Sequence, residues 1–157
     1  MDSIDRAILN QLQRDGRVAN NELAARVGLS PSPCLRRVRN LEASGTITGY
    51  AALLDRPAIG CSYEPLVWVT LSAVDRSSMD EFEAAVHEIP EVVESLRMMG
   101  QPDYLLRVVT ADPEAFEALY IDHLANLPGV QALTSQLAMK VVKRTHVLPV
   151  HGVSGDK

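Results

Sequence analysis

Residues 22–42 read ELAARVGLSPSPCLRRVRNLE, and the punctuation of this stretch decides the fold of the first third of the chain. Leu23, Ala24 and Val27 share one helical face, so the spacing predicts a helix that starts at Asn20 or Asn21 and closes at Gly28. Leu29 is then expected to be buried. Ser30-Pro31 and Ser32-Pro33 offer two overlapping cap-plus-proline starts for a further helix, with Leu35, Val38 and Leu41 predicted inward. Two helices joined by so short a turn, with small Ala24 where they approach, form a helix-turn-helix. Its second helix leaves Ser30, Ser32, Pro33, Arg36, Arg37, Arg39 and Asn40 for a partner. Arginine bonds guanine in bidentate fashion, asparagine does so with adenine, and either holds phosphate, which helix N-termini also attract. The same string also reads as a packed helix pair with a solvated basic face. Between Glu22 and Glu42 stand four arginines and no acid, which weights the choice toward double-stranded DNA.

Upstream, Ile4, Ile8, Leu9 and Leu12 recur at helical spacing behind a possible Ser3 cap, and that helix is expected to stop near Asp15-Gly16. Downstream of Gly45, Thr46–Tyr50 reads as a short strand, a wing or a linker. The net charge of −5 is unevenly placed: residues 1–50 carry +2 and the remainder −7, as two domains with different partners would. With 46% apolar and 22% charged residues the composition is that of a folded chain. No run of 18 apolar residues exists, and the start MDSIDRAIL is acidic where a secretory signal is basic, so a cytosolic protein with no membrane partner is expected. Cys34 and Cys61 lack zinc or thioredoxin spacing and are read as reduced and structural.

The remaining two thirds repeat weakly. Leu66–Val69 is a strand candidate, followed by a helix with Met79, Phe82, Val86 and Ile89 on one face, started by the capping box Ser78–Glu81 and ended by Pro90. A strand from Val92 to Met98 comes next. After a spacing of 38 residues the order recurs: strand Tyr104–Val109, a helix capped by Asp112-Pro113 with Phe116, Leu119, Tyr120 and Leu124 inward, Pro128 in register with Pro90, and a strand from Val130. Two tandem βαβ halves predict a βαββαβ ferredoxin-like sheet with both helices on one face, making the whole chain α+β. Several strands offer apolar residues to both sides, so the second face is expected to pack on another subunit; burial under loops is the competing reading.

Between the second and third strands lies Gly100-Gln101-Pro102-Asp103-Tyr104. A glycine lets backbone approach a ligand and an aspartate pairs with an α-ammonium, which suits a free amino acid; the same residues are also ordinary turn chemistry. Catalysis has no comparable site. His87, His123, His146 and His151 form no metal spacing, there is no nucleophile elbow or phosphate-cradling glycine loop, and Gly152–Gly155 reads as a frayed tail. Glu81, Glu83, Glu88, Glu91 and Glu94 read mostly as solvated helix face. Neither an enzyme nor a cofactor is expected.

The strings IDRAILNQLQRDGR, NNELAARVGLSPSPCLRRVRNLEASGTITGY, GQPDYLLRVV and LPGV, in this order and spacing, resemble the Lrp/AsnC (feast/famine) family of transcription regulators from about Ser3 to Leu148. The resemblance implies a winged helix-turn-helix in residues 1–50, a linker in 51–63, an effector-binding and assembly domain in 64–148 and a tail in 149–157. It further implies homodimers joined through the C-terminal sheet and assembled to octamers, with control by an amino acid between subunits. Carried over by position, the effector residues are Met99, Gly100, Gln101, Pro102, Asp103 and Tyr104, with Thr134, Ser135 and Gln136 on the last strand. Gln101, where the family often has an acid, and the bulky Met98-Met99 depart from the pattern; the apolar surroundings point to a neutral amino acid. An architectural DNA-binding protein without effector and a regulatory amino-acid-binding subunit of an enzyme are the other classes that fit.

Overall fold

The computed structural model describes residues 1–151, and the Gly152–Gly155 stretch lies outside them. Two compact units form: residues 1–53 together with the chain from Val142 onward, and residues 54–141. In the first, α1 (Ser3–Leu12), α2 (Asn20–Arg26) and α3 (Pro31–Ala43) enclose a core of Ile8, Leu23, Ala24, Cys34, Val38 and Leu41. The cap of α1 is Asp2 and not Ser3: its Oδ1 accepts from the N–H groups of Ile4 and Asp5 at 2.9 and 2.8 Å, and Asp5 Oδ2 reciprocates on the Asp2 N–H. A capping box satisfies two amide donors that a lone Ser3 hydroxyl would leave open.

Within α3 the inward face is turned slightly from expectation, Cys34 taking the place of Leu35 beside Val38 and Leu41. Cys34 is fully buried whereas Leu35 is 38% exposed, because Cys34, Val38 and Leu41 stack at spacings of four and three along the face toward α1 and α2. Leu29 is only half-buried. Thr46–Tyr50 turns through a bend at Thr46–Ile47 and has no ladder partner, so the expected strand is absent. The Ile47 N–H instead closes on the Leu41 carbonyl at 3.0 Å and its side chain joins the core, while the Tyr50 hydroxyl donates to Glu42 at 2.9 Å. Residues 142–151 likewise form no helix or strand. Gln13 grips Leu148 at both polar atoms: Nε2 donates to its carbonyl at 3.1 Å and Oε1 accepts its N–H at 2.6 Å.

The second unit is a four-stranded antiparallel sheet in the order β2-β3-β1-β4, with β1 Pro65–Leu71, β2 Val92–Arg97, β3 Tyr104–Val108 and β4 Val130–Leu137. Helices α4 (Arg76–His87) and α5 (Pro113–Asp122) each connect the two strands of one half of the repeat. Val67, Val69, Leu71, Tyr104, Leu106 and Val108 alternate along their strands onto the covered face and pack with Phe82, Val86, Leu119 and Leu124. Each such fully buried aliphatic side chain contributes about 1.5–3 kcal/mol. The cap of α4 is Asp75, three residues ahead of the expected Ser78 box; its carboxylate takes the Ser78 N–H and both the Ser77 and Ser78 hydroxyls. Asp112 caps α5 as expected, accepting from the Ala115 N–H at 2.8 Å. Among the described residues no helix is long and apolar enough to cross a membrane.

Candidate nucleic-acid interface and effector loop

Burying Cys34, Val38 and Leu41 turns Leu35, Arg36, Arg39 and Asn40 of α3 to solvent, with Ser30 and Ser32 at its start. Pro33 and Arg37 are half-buried. Ser30 makes no side-chain cap bond, and prolines at positions 31 and 33 carry no N–H, so the helix start offers a partner the Ser32 amide and two hydroxyls. The start of α3 is positioned by Asn20 of α2, whose Nδ2 donates to the Pro31 carbonyl at 2.9 Å.

The four arginines of this stretch are not equivalent. Arg26 is paired with Glu22 at 2.6 Å and Arg37 with Asp2 and Asp5 at 2.7 and 2.8 Å, whereas Arg36 and Arg39 have no carboxylate partner among the described residues. Positive potential therefore concentrates at Arg36 and Arg39. A separate cavity of about 420 Å³ lies in this unit, lined chiefly by Leu9, Leu12, Ile47, Tyr50, Leu148 and Val150.

In the second unit Met99, Gly100 and Gln101 are exposed at the β2–β3 turn, where Gly100 has φ +106° and the Gln101–Pro102 peptide is cis. A side chain at position 100 would meet no neighbour, so the demand for glycine is conformational. Half-buried Asp103 ties this turn to β1: its N–H donates to the Val69 carbonyl, and its Oδ2 accepts from the Leu71 N–H, both at 2.8 Å. Tyr104 is buried on the helix-covered side, its ring tilted 44° to that of Phe82 at a centroid distance of 4.6 Å, with its hydroxyl donating to Glu83 at 2.8 Å. Arg97 also donates to Glu83, at 2.9 Å from Nε. These two donors hold the Glu83 carboxyl below its usual range, Arg97 contributing most. Glu83 thus orders the sheet edge beside the turn, a role that solvated-face patterning did not reveal; only its one-turn spacing from half-buried Met79 and buried Val86 hints that it borders the core.

Thr134 and Gln136 lie on the other, uncovered face. Thr134 pairs across from Trp68 and Gln136 from Leu66, and the Trp68 indole N–H donates to Gln136 Oε1 at 3.0 Å. Ser135 pairs with Val67 and points to the helix side. One protomer does not bring the predicted effector residues together. Gln136 is level with Leu66 and Asp103 with Leu71, a separation of about 16 Å along β1 at ~3.3 Å per residue.

Comparison with known proteins supplies the context for both units. Residues 1–48 match the family of winged helix-turn-helix DNA-binding domains, and residues 65–148 match the Lrp/AsnC ligand binding domain. The leucine-responsive regulatory protein of Salmonella typhimurium is 42% identical over 150 residues, spanning 96% of this chain and 92% of that protein; its counterpart in Escherichia coli K12 is 41% identical over the same shares. Among solved structures, a transcriptional regulator of Neisseria meningitidis in complex with L-methionine superposes with a TM-score of 0.90 at 38% identity, over 95% of this chain and 96% of that one. An AsnC family regulator from Agrobacterium tumefaciens gives 0.89 at 39% identity, over 95% and 97%.

Proposed function

Since the chain belongs to the Lrp/AsnC family of DNA-binding transcriptional regulators, we propose that it docks α3 on double-stranded DNA and alters its grip when a neutral amino acid settles between the sensing units of two copies. The observation that carries the first half is the outward, unpaired placement of Arg36 and Arg39 beside Asn40 and the open helix start. Ser30, Ser32 and Pro33 meet the backbone near the α3 N-terminus, while Arg36, Arg39 and Asn40 reach phosphates or base edges.

The second half rests on the separation of Asp103 from Gln136. A free amino acid is far shorter than 16 Å, so a single ligand that engages both Asp103 and Gln136 takes them from different copies. The half-exposed Trp68 and Leu105 and the exposed Leu96 form an apolar row on the uncovered sheet face, which supports pairing of copies there. Homodimers that assemble further, to octamers, in the cytoplasm are the form we assign. L-Methionine is what the Neisseria relative holds, which makes methionine and leucine the first ligands to try.

An effector-free architectural role is favoured by one observation: Asp103 already commits Oδ2 to the Leu71 N–H and keeps only Oδ1 for an ammonium group. Thermal unfolding in the presence of each of the twenty amino acids decides between the two, because a ligand that binds only the folded state raises its stability by mass action. A rise in Tm with one neutral amino acid, and a parallel change in affinity for a DNA duplex, is the expected result. No rise at millimolar concentrations overturns the effector reading and leaves the architectural one.

A further inference from the structure

Arg37 sits between the two exposed arginines in sequence but not in environment. Its side chain is 30% exposed, and its Nη1 lies 2.7 Å from Asp2 Oδ2 and 2.8 Å from Asp5 Oδ1, bridging two carboxylates with one nitrogen. Both acids belong to the capping box of α1, which fixes their orientation from the other side: Asp2 Oδ1 holds the Ile4 and Asp5 amides, and Asp5 Oδ2 holds the Asp2 amide. Asp5 is itself largely covered, at 18% exposure. The cluster carries one cation against two anions, so a DNA phosphate brought to Arg37 would displace or face both carboxylates.

We infer that Arg37 is a positioning residue for DNA binding and not a DNA contact: by clamping the capped end of α1 onto the middle of α3, it sets the angle at which Arg36 and Arg39 meet the duplex. The inference rests on the DNA-binding reading above and refines it, reducing the reading cations of α3 from three to two. Charge-assisted hydrogen bonds that Arg37 donates to both acids, Asp5 foremost, favour the guanidinium form, and they are lost if the side chain swings toward a phosphate.

The two roles make opposite demands on the acids. If Arg37 is a clamp, Asp2 and Asp5 help DNA binding although they are negative; if it is a phosphate ligand, they compete with DNA and their removal tightens binding. The experiment uses the full chain and a fluorescein-labelled duplex of mixed sequence, with affinity measured per folded protein against salt concentration for the natural sequence, R36A, R37A and the D2N/D5N pair. Asparagine caps a helix about as well as aspartate, so the pair removes charge with little loss of the cap. R36A serves as reference, and its log–log slope drops by about one for one lost phosphate contact.

The expected result is that R37A and D2N/D5N each weaken binding roughly threefold to tenfold with the slope unchanged, and that combining them adds nothing, as for residues acting as a unit. A slope reduced by about one in R37A, tighter binding by D2N/D5N, or unaltered affinity in both overturns the inference. Should R37A fail to fold, the direction of the D2N/D5N change decides alone. A natural chain that does not bind the duplex, or an R36A slope equal to the natural one, counts instead against the DNA-binding reading of α3.

Discussion

Asp103 closes the C-terminal end of β1 with one carboxylate oxygen, Oδ2, which accepts from the Leu71 N–H at 2.8 Å. Replacing it by alanine leaves the N–H of buried Leu71 without an acceptor, at a cost of about 1–2 kcal/mol that urea unfolding reports; Asp103→Asn, which keeps an acceptor oxygen, is expected to lose less. Tyr50 makes a second residue-level prediction. Burial, and then its bond to Glu42, raises its hydroxyl from an ordinary value of 10.0 to about 12. The folded state therefore favours the neutral phenol, and this stabilisation is complete below pH 10 and lost progressively toward pH 12. Tyr50→Phe is expected to flatten the stability profile over that interval; an alkaline slope as steep as the natural one would sever this link. At this scale the sequence was least legible. Residue types at Arg36, Arg39 and Asn40 announce a nucleic-acid face, but nothing local to Arg37 reveals that Asp2 and Asp5, more than thirty positions earlier, hold it. Glu83 was hidden for the same reason, since its donors Arg97 and Tyr104 reach it only through the fold.

Apart from the strand expected over Thr46–Tyr50, helices and strands are legible in kind and order because their apolar periods differ and because Gly28 and Pro90 follow the ends of α2 and α4. Their fine setting is not. Leu35 outranks Cys34 in hydrophobicity, yet the groove between α1 and α2 accepts the smaller Cys34 and leaves Leu35 in solvent. Two substitutions in α3 test this rotation. Leu41→Ala is expected to cost about 2–4 kcal/mol through the lost burial and the cavity left behind, whereas Leu35→Ala stays within about 0.5 kcal/mol of the natural chain in denaturant unfolding. The caps show a similar shift: Ser3 and Ser78 satisfied the pattern, but Asp2 and Asp75 hold the amides, a carboxylate being the stronger acceptor. At α5, where pattern and structure agree, Asp112→Ala removes the bond to the Ala115 N–H and is expected to cost about 1 kcal/mol, visible as a lower Tm.

For the whole molecule, the 38-residue recurrence and the contrast between a basic first third and an acidic remainder already indicate one unit that meets DNA and another that repeats a βαβ half. The proposed site between copies is not legible in this way, because Asp103 lies level with Leu71 and Gln136 with Leu66, near opposite ends of β1. The uncovered sheet face gives assembly a direct handle: Leu105→Glu puts a charge into the row of Leu96, Leu105 and Trp68, and sedimentation is expected to show smaller species than the natural chain. The central claim is that α3 grips DNA through its unpaired arginines. Its most direct test is the salt dependence of duplex affinity in the Arg36→Ala/Arg39→Ala chain: a log–log slope lower by about two, with affinity down at least tenfold, is the expected result, and a slope and affinity equal to those of the natural chain would contradict it.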